Sequence, residues 1–577
     1  MKYTVQSGAF WLLFILCFCT LVPFLGLPEY NTDAEPREAV VSYTMIVNDD
    51  WTLPRNNDGD MAFKPPFFHW CVNMASILRG DMTEGATRVP SAMALIGMTL
   101  WCFGFLTRRK GSELGLLTAL LLFTCMEIHK AATICTVDMM LTATTVCAMY
   151  MLFHWYKNNM HDTASAVIAI VLMGAATLTK GPVGTLIPCM VMGVFMLLRG
   201  TGFFKTVLWL TLLALLSLIP YALWFYAAWL QGGQEFLDLV YAENIGRMVN
   251  AMGYEPHVQP WPYYLKTLLV GFQPWTLLFF VSLFFVRFKR PSMTRAKWWN
   301  RLKHWLCRGD AVDVFSLTAI VIIFVFYSIP QTKKPTYLLP LYPFLAYFLA
   351  KYILWMAENR SMVMRLYGGI LSTLIILLFI GFLTVHFGCI PDDMFTGAGA
   401  SFYIDTMHTL QEVGPWWQWT ILITSALFGI YWWIRHKDDD MHNIYAVLFM
   451  TFGLWVAVDA VYRPAVLNSR SVRTTSILIN HAVPASAGPL YEFIERSVNE
   501  RGDYVHFFEV NFYLRNRIKN FDRQHPDKGF LLITKTDALR NLPAFEHQGY
   551  QFKLHYEAKR REMQIYAFNR TLPKTAN

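Results

Sequence analysis

The sequence predicts an all-α polytopic membrane protein with about thirteen transmembrane helices, followed by a small soluble α/β domain. Of the 577 residues, 55% are hydrophobic and only 15% are charged, whereas soluble domains carry about 25% charged residues. Long apolar segments recur up to Tyr462 and are absent after it. A chain with so little charge cannot cover its surface for water, so lipid is its main solvent. The same composition excludes disordered, collagen-like and disulfide-rich classes.

A helix that spans a bilayer needs about 20 predominantly apolar residues. The chain contains about thirteen such segments: 9–27, 89–106, 113–127, 132–154, 164–180, 182–199, 205–229, 262–286, 313–330, 336–356, 364–386, 415–434 and 441–462. An odd number of spans places the two termini on opposite sides of the membrane. The first segment is longer than the apolar core of a signal peptide, about 7–15 residues, and no Ala-x-Ala site follows it. We therefore expect it to remain as the first transmembrane helix.

Basic residues in short loops indicate the orientation, because cytoplasmic loops are enriched in Lys and Arg. Two basic stretches, 107–110 and 287–308, fall on the same side in this topology. That side is predicted to be cytoplasmic and to include the N-terminus. The loops and tail predicted to face outward are 28–88, 230–261, 387–414 and 463–577. The net charge of +9 is then explained by topology and needs no nucleic-acid partner.

The domain boundary is predicted at Tyr462, with a membrane domain over 1–462 that includes the outward loops 28–88 and 230–261. The remainder, 463–577, is predicted to form a soluble α/β domain. We expect a helix over 488–500 and strands over 505–510, 529–534 and 563–568. It contains no phosphate-binding loop and no nucleophile elbow, which favours a structural or acceptor-contacting module over a catalytic one.

Unusual polar residues gather in the predicted outward loops or at the outward ends of spans. They are Asp33, Glu35, Arg37, Lys64, Asp138, Lys180, Glu243, Arg247, His257, Lys333, Lys334 and Tyr337. Some have simpler structural interpretations: Lys180 can complement the C-terminal end of its helix, and Glu243 can pair with Arg247 four residues on. Asp138 is different, because a carboxylate near the start of an apolar span needs a partner or a water-filled cavity. One outward-facing site can collect the whole set.

The chemistry of this set fits a reaction in which a phosphate leaves and a nucleophile is deprotonated or steered. Cationic side chains stabilise the charge on a departing phosphate, and a carboxylate serves as general base or metal ligand. No ATP-binding loop is present, and nucleotide sugars are largely confined to the cytoplasm. An outward site therefore needs a lipid-linked donor that is reached from within the bilayer.

The motifs that contain these residues occur in a characteristic order. They are Asp33-Ala-Glu35-Pro-Arg37, Asp50-Trp51-Thr-Leu-Pro54, Lys64-Pro65-Pro66, Asp138, Lys180-Gly-Pro182, Glu243-Asn244-Ile-Gly-Arg247 and Lys334-Pro-Thr-Tyr337-Leu-Leu-Pro340. In this combination the sequence resembles the polyprenyl-phosphate-dependent glycosyltransferases of the protein mannosyltransferase superfamily, above all the 4-amino-4-deoxy-L-arabinose lipid A transferase branch. The resemblance extends over most of residues 1–350.

The resemblance implies a glycosyltransferase C-class membrane fold in the bacterial inner membrane, with a cytoplasmic N-terminus and a periplasmic C-terminal domain. It implies transfer of a sugar from a polyprenyl-phosphate donor, such as undecaprenyl phosphate, to an acceptor at the periplasmic face. Lipid A or lipopolysaccharide is the favoured acceptor. Membrane lipids, the lipid-linked sugar and a glycolipid or protein acceptor are the expected partners, and nucleic acid is not.

The resemblance also implies roles for individual residues. The residues expected to bind the donor phosphate or substrate are Arg37, Lys64, Lys180, Arg247, Lys334 and Tyr337. The residues expected in catalysis are Asp33, Glu35 and Asp138. The motif has one extra residue before its arginine, so both Asp33 and Glu35 stay candidates for the functional acid, with Asp33 favoured; Asp138 is expected to position a cation such as Arg37 or Lys64. A divalent metal is left open, with Glu243 and His257 as candidate ligands.

Two other functions remain alternatives. The first is a protein O-glycosyltransferase, which would act on Ser or Thr. The second is a transporter or flippase for a lipid-linked sugar, a class that also has many spans and intramembrane charges. The sequence has no clear inverted repeat and no predicted pair of broken helices, features that are typical of transporters, so transfer is favoured over transport.

Overall fold

The computed structural model describes residues 2–32, 34–56, 60–62, 64–241, 259–260, 262–285, 295–397, 399–435, 440–494, 506–558 and 562–571. The chain divides into two compact units. The first unit comprises Met1–Leu27, Arg88–Phe225 and His257–Val466, and the second comprises Pro28–Thr87, Tyr226–Pro256 and Leu467–Asn577. Each unit therefore contains segments that are far apart in sequence.

Helices dominate the described chain. They are α1 (Lys2–Leu21), α2 (Ala34–Asn48), α3 (Phe67–Arg79), α4 (Glu84–Lys110), α5 (Ser112–Phe123), α6 (Met126–Ala132), α7 (Val137–Lys157), α8 (Thr163–Lys180), α9 (Val183–Leu198), α10 (Phe203–Tyr241), α11 (Tyr263–Gly271), α12 (Trp275–Leu283), α13 (Arg295–Arg308), α14 (Ala311–Ser328), α15 (Tyr342–Asn359), α16 (Ser361–His386), α17 (Ala400–Gln411), α18 (Trp416–Arg435), α19 (Asp440–Ala457), α20 (Arg463–Asn468), α21 (Arg473–Ala482), α22 (Phe508–Tyr513), α23 (Phe521–Gln524) and α24 (Lys535–His547). A 3₁₀ segment, Pro335–Leu341, precedes α15.

The strands are short and few. They are β1 (Arg55–Asn56), β2 (Asp60–Met61), β3 (Leu490–Glu492), β4 (Ile518–Asn520), β5 (Lys528–Thr534), β6 (Tyr550–Glu557) and β7 (Met563–Arg570). The last five form one sheet in the order β4-β3-β5-β7-β6. β3 is parallel to both β4 and β5, whereas β7 is antiparallel to β5 and β6. The predicted fold class, an all-α membrane domain with a small α/β domain near the C-terminus, is confirmed.

Each of the thirteen apolar segments predicted from sequence contains a helix. Within the described residues, nine helices are long and apolar enough to cross a membrane, and the number rises to eleven if each of two bent helix pairs counts as one span. α9 has 16 residues and falls below the length of a full span. The predicted number of about thirteen is therefore higher than the number found in the described residues: α9 is too short, and α18, although it has 20 residues, is not among the helices that are apolar enough.

The two bent pairs are α5 with α6, at 67°, and α11 with α12, at 101°. The chain therefore does contain two broken helix pairs, whereas the sequence predicted no such pair at the membrane midplane; the depth of these two breaks in the membrane stays untested. The two breaks contact each other: the Met126 amide donates to the Gln273 carbonyl at 2.9 Å, and the Trp275 indole donates to Thr124 Oγ1 at 3.0 Å. Broken helices survive in an apolar surrounding only where the freed backbone groups find such partners.

The second unit combines the first predicted outward loop with the C-terminal sheet. Tyr513 of α22 links the two: its hydroxyl accepts from the Tyr30 amide at 3.0 Å and donates to Glu84 at 3.0 Å. Arg473 lies 3.4 Å from Glu29 and 3.6 Å from Glu84. The loop is therefore held by polar contacts to residues that lie between 389 and 483 positions later in the chain.

Two predictions for the C-terminal domain are wrong. Residues 490–492, expected in a helix, form the buried strand β3, and residues 508–510, expected in a strand, begin helix α22. Periodicity does not distinguish the two states in apolar runs this short, and tertiary packing decides: β3 pairs on both edges, while Phe512 of α22 packs against Tyr30 with ring centroids 4.8 Å apart. The strands predicted over 529–534 and 563–568 are confirmed.

The tight turn between α8 and α9 generates a prediction. A Cβ on Gly184 would lie 2.5 Å from backbone atoms of Ala176 and Thr177, so Gly184→Ala must push the two helices apart. We expect a loss of about 1–3 kcal/mol of stability, measured as a lower thermal unfolding midpoint in lipid. The control, Gly97→Ala, adds a methyl group where no atom lies within 4 Å. Equal midpoints for the two variants would contradict the close approach.

Candidate functional site

The first predicted outward loop places four functional side chains together, here named the Glu38 cluster: Arg37, Glu38, Lys64 and His69. Pro36 lies in the first turn of α2, where its missing N–H costs nothing. Lys64 is followed by two prolines, and α3 begins immediately after them at Phe67. This short connection puts Lys64 and the His69 side chain of α3 beside the Glu38 side chain of α2.

Glu38 is the centre of this cluster. Its Oε1 is ion-paired with the Lys64 ammonium and lies 3.4 Å from the Arg37 guanidinium. Its Oε2 accepts a hydrogen bond from His69 Nε2 at 3.0 Å, because an ionised carboxylate can only accept. Glu38 and His69 are fully buried. Both carboxylate oxygens are therefore occupied by positively charged or N–H groups.

The charged neighbours decide the ionisation of Glu38. Burial raises the pKa of the Glu38 carboxyl, but the charge of Lys64, the hydrogen bond from His69 and the charge of Arg37 outweigh it and hold the pKa well below its usual range. A carboxylate that is so hard to protonate is a poor general base near neutral pH. Glu38 is therefore suited to holding the cations in place.

Among the four described side chains that define the Glu38 cluster, the positive charges outnumber the negative one. One carboxylate faces two permanent cations, Lys64 and Arg37, and their side chains are 19% and 32% exposed whereas that of Glu38 is 4% exposed. The negative charge is thus buried below the cations, which remain accessible. Accessible Lys and Arg side chains are suited to binding a phosphate.

The first unit contains a second group, the Asp138 cluster: Asp138, Lys180 and Tyr337. Asp138 lies in the first turn of α7 and Lys180 in the last turn of α8, positions where their charges complement the helix dipoles. Their side chains form an ion pair. The Lys180 ammonium also lies 4.7 Å from the centre of the Tyr337 ring, a cation–π distance. The required partner of Asp138 is therefore provided by Lys180.

A sharp turn sets the position of Lys180. Gly181 follows it with φ +93°, in the left-handed region that glycine adopts without strain, and its amide donates to the Thr177 carbonyl at 2.7 Å. Pro182 then leads directly into α9. The Lys-Gly-Pro motif thus ends one helix, reverses the chain and keeps the lysine at the helix end.

Lys333 differs from its neighbour Lys334. Lys333 is buried at 5% exposure, whereas Lys334 is half-buried. Within the described residues, the Lys333 ammonium contacts only backbone carbonyls, those of Gln259 at 3.1 Å and Gln331 at 3.5 Å. A buried charge without a counter-ion is energetically costly, so this position is suited to an anionic ligand.

The structure brings together Arg37 and Lys64 in one unit and Asp138, Lys180 and Tyr337 in the other. Glu35 is buried in the first turn of α2, and Lys334 precedes the 3₁₀ segment that contains Tyr337. The predicted residues outside the described part of the chain are Asp33, Glu243, Arg247 and His257. Their assigned roles stay predictions.

Two residues of these sites, Glu38 and His69, were missed at the level of sequence, and Lys333 was noted among the unusual polar residues but given no role. Glu38 could have been found from its spacing, since it lies three residues after Glu35 and so shares a helix face with it. His69 lies in the aromatic run 67–70, and nothing in that pattern indicates that it has a functional role. The sequence did not distinguish Lys333 from the adjacent Lys334, because the two lysines differ only in burial.

The described residues do not fit a divalent metal. Within the described ranges, no group of three or more His, Cys, Asp or Glu side chains converges, and both oxygens of Glu38 face cationic or N–H groups. The candidate ligands Glu243 and His257 lie outside the described residues.

The lowered pKa of Glu38 predicts a pH-dependent stability. An ionised, paired Glu38 stabilises the fold above the unfolded-state pKa of about 4.3, and this contribution is lost as the pH falls towards the lower folded-state pKa. The thermal midpoint of Glu38→Gln should therefore lie well below wild type at pH 7, and the difference should shrink below pH 4.3 or so. Glu546→Gln, which changes an exposed carboxyl of α24, is the control. A difference that is constant with pH would contradict the ion pairing.

Comparison with known proteins supports the resemblance. Residues 63–224 match the family described as dolichyl-phosphate-mannose-protein mannosyltransferase. The chain is 26% identical over 377 residues to an undecaprenyl phosphate-alpha-4-amino-4-deoxy-L-arabinose arabinosyl transferase of Shewanella sediminis, covering 63% of this chain and 62% of that protein. A protein of the same name from Photorhabdus laumondii is 24% identical, with coverage of 77% and 73%. The chain thus spans about three fifths of the length of the first relative and about three quarters of the length of the second.

The fold comparison covers nearly the whole chain. The crystal structure of ArnT from Cupriavidus metallidurans bound to undecaprenyl phosphate superposes with a TM-score of 0.68 at 20% identity, covering 97% of this chain and 98% of ArnT. Its apo form gives 0.69 at 18% identity. At this identity the match shows a shared fold. The resemblance predicted from the motifs is confirmed as a similarity: residues 63–224 match this family, and the chain is similar in sequence to the arabinosyl transferases and in fold to ArnT.

Proposed function

We propose that this protein is an inner-membrane glycosyltransferase that transfers a sugar from a polyprenyl-phosphate donor to an acceptor at the periplasmic face, with lipid A as the favoured acceptor. The observation that carries the proposal is the accessible positive charge of the Glu38 cluster, where Lys64 and Arg37 are held by one buried carboxylate. Relatives named as undecaprenyl-phosphate arabinosyl transferases and an ArnT structure bound to undecaprenyl phosphate support this donor class.

The proposed reaction is a displacement at the anomeric carbon of the donor sugar. An acceptor oxygen forms the new bond to this carbon, the bond from the carbon to the phosphate oxygen breaks, and polyprenyl phosphate leaves with both electrons. The leaving phosphate gains negative charge in the transition state, so cations placed there lower the barrier. We assign this stabilising role to Lys64, Arg37 and Arg247. Lys333 or Lys334, which precede Tyr337 in the chain, are further candidates for it.

The acceptor determines how much a general base matters. A lipid A phosphate is already anionic and mainly needs its charge to be neutralised, whereas a hydroxyl acceptor must lose a proton. Asp33 is the proposed acid that activates or orients the acceptor, with Glu35 in reserve. Glu38 is excluded from this role because its lowered pKa makes it a weak base.

The assignment of the acid is tested by sugar transfer in membranes supplied with a polyprenyl-phosphate sugar donor. We expect Asp33→Asn to reduce turnover by about 10²-fold or more, the typical contribution of a general base, and Glu35→Gln to reduce it less. The control is Asp393→Asn, a change to an exposed carboxyl in the predicted loop 387–414. Turnover like wild type in both Asp33→Asn and Glu35→Gln would refute the assigned roles.

Two further measurements distinguish the alternative functions. Mass spectrometry of lipid A and of periplasmic proteins, from strains with and without the protein, shows which class gains the sugar. Sugar on Ser or Thr would identify a protein O-glycosyltransferase. The two contacting breaks in the spans (α5 with α6 and α11 with α12) are the observation in favour of a transporter. Movement of a lipid-linked sugar across a bilayer by the purified protein, without transfer, would establish that function instead.

The burial of Lys333 gives a second prediction for the donor site. If Lys333 neutralises the donor phosphate, Lys333→Met should raise the KM for the donor and also raise the thermal midpoint of the ligand-free protein, because an uncompensated buried charge is removed. Lys334→Met is the matched neighbour and should change both quantities less. A lower midpoint with an unchanged KM would indicate that Lys333 is purely structural.

A further inference from the structure

Helix α13 has an unusual composition for a segment of a membrane protein. Its 14 residues contain five Lys or Arg residues and no Asp or Glu. Positive charge in a cytoplasmic loop is expected from topology alone, but here the charge lies on a regular helix. The positions of the basic residues around the helix therefore show which of its faces is cationic, which the composition of the loop alone does not.

The basic residues of α13 form a stripe. Lys297, Arg301 and Arg308 are separated by four and seven residues, which places them on one face at 100° per residue. All three are exposed. Leu302 and Leu306 lie on the side of the helix away from the stripe, and Trp305 borders the stripe, four residues after Arg301. All three are half-buried, and Trp305 and Leu306 pack against the core of the first unit. The helix is therefore amphipathic, and its cationic stripe points away from the protein.

Contacts at the C-terminal end of α13 define where it lies in the first unit. The Gly309 carbonyl accepts from Arg199, which follows α9, at 2.8 Å. Asp310 pairs with Lys110, the last residue of α4, at 2.6 Å. α13 thus lies at the end of the unit where α4 and α9 terminate, next to the basic residues 108–110.

We propose that α13 lies along the cytoplasmic surface of the membrane and that its stripe of Lys297, Arg301 and Arg308 binds the headgroups of anionic phospholipids. A basic amphipathic helix is typical of segments that lie in the membrane interface. The cytoplasmic leaflet carries the negative surface potential that attracts such residues. The exposed Trp299 fits the same location, because Trp is enriched at membrane–water interfaces. The inference depends on the predicted orientation and is independent of the proposed sugar transfer.

Lipid selectivity of the full-length protein tests this inference. The protein is reconstituted in phosphatidylcholine bilayers with trace spin-labelled phosphatidylglycerol or spin-labelled phosphatidylcholine, and electron paramagnetic resonance measures the immobilised fraction of each. We expect wild type to prefer phosphatidylglycerol by about fivefold, the factor for one basic residue close to an anionic surface. High salt should reduce the preference, because it screens exposed charges.

Variants locate the binding surface. K297Q/R301Q/R308Q should bring the preference close to one, and the charge reversal K297E/R301E/R308E should do the same or invert it. The control is K519Q/K528Q/K553Q, which removes the same charge from three exposed lysines of the C-terminal sheet and should keep the wild-type preference. A preference that survives the α13 substitutions, or that the control also loses, overturns the proposal. If wild type shows no preference but binds added RNA through the same residues, the stripe serves nucleic acid instead.

Discussion

The packing of the first predicted outward loop depends on the ion pairs and the hydrogen bond of the buried Glu38 carboxylate. Removing a charge from water is costly unless it is paired and hydrogen-bonded, so α2, the Lys-Pro-Pro connection and α3 must all come together around this one group. The pairing also fixes where the cations lie. Lys64 and Arg37 are held at a defined position, and preorganised positive charge is what a leaving phosphate requires.

The sequence predicted the apolar helices well and the C-terminal domain only in part. Long apolar segments such as those of α4 and α16 are strong signals, because only a helix satisfies its backbone inside lipid. Short segments were ambiguous. Leu490–Glu492 became a strand because two neighbouring strands pair with it, and that information lies 26 or more residues away in the chain. The breaks after Phe123 and Gly271 were missed for the same reason, since each is satisfied by the other.

The candidate site shows a similar division. Motif order was sufficient to select Lys64, Arg37, Asp138, Lys180 and Tyr337, and the structure gives the selected residues charged or aromatic partners. The identity of those partners was not predictable. Whether Asp138 pairs with Lys180 depends on the packing of α7 against α8, and whether Lys333 or Lys334 is buried depends on the path of a loop. Burial, which sets the energetic cost of a charge, is a property of the fold and not of the motif.

The composition of the second unit has a consequence for biogenesis. Tyr30 and Glu84 are held by Tyr513, yet ribosomes synthesise the chain from the N-terminus. The loop that contains Tyr30 and Glu84 is therefore made without these contacts, and more than 400 further residues are synthesised before Tyr513 is present. Assembly of the second unit thus becomes one of the last steps in maturation, so an incompletely synthesised chain has its apolar helices but lacks the contacts of Tyr513 to this loop.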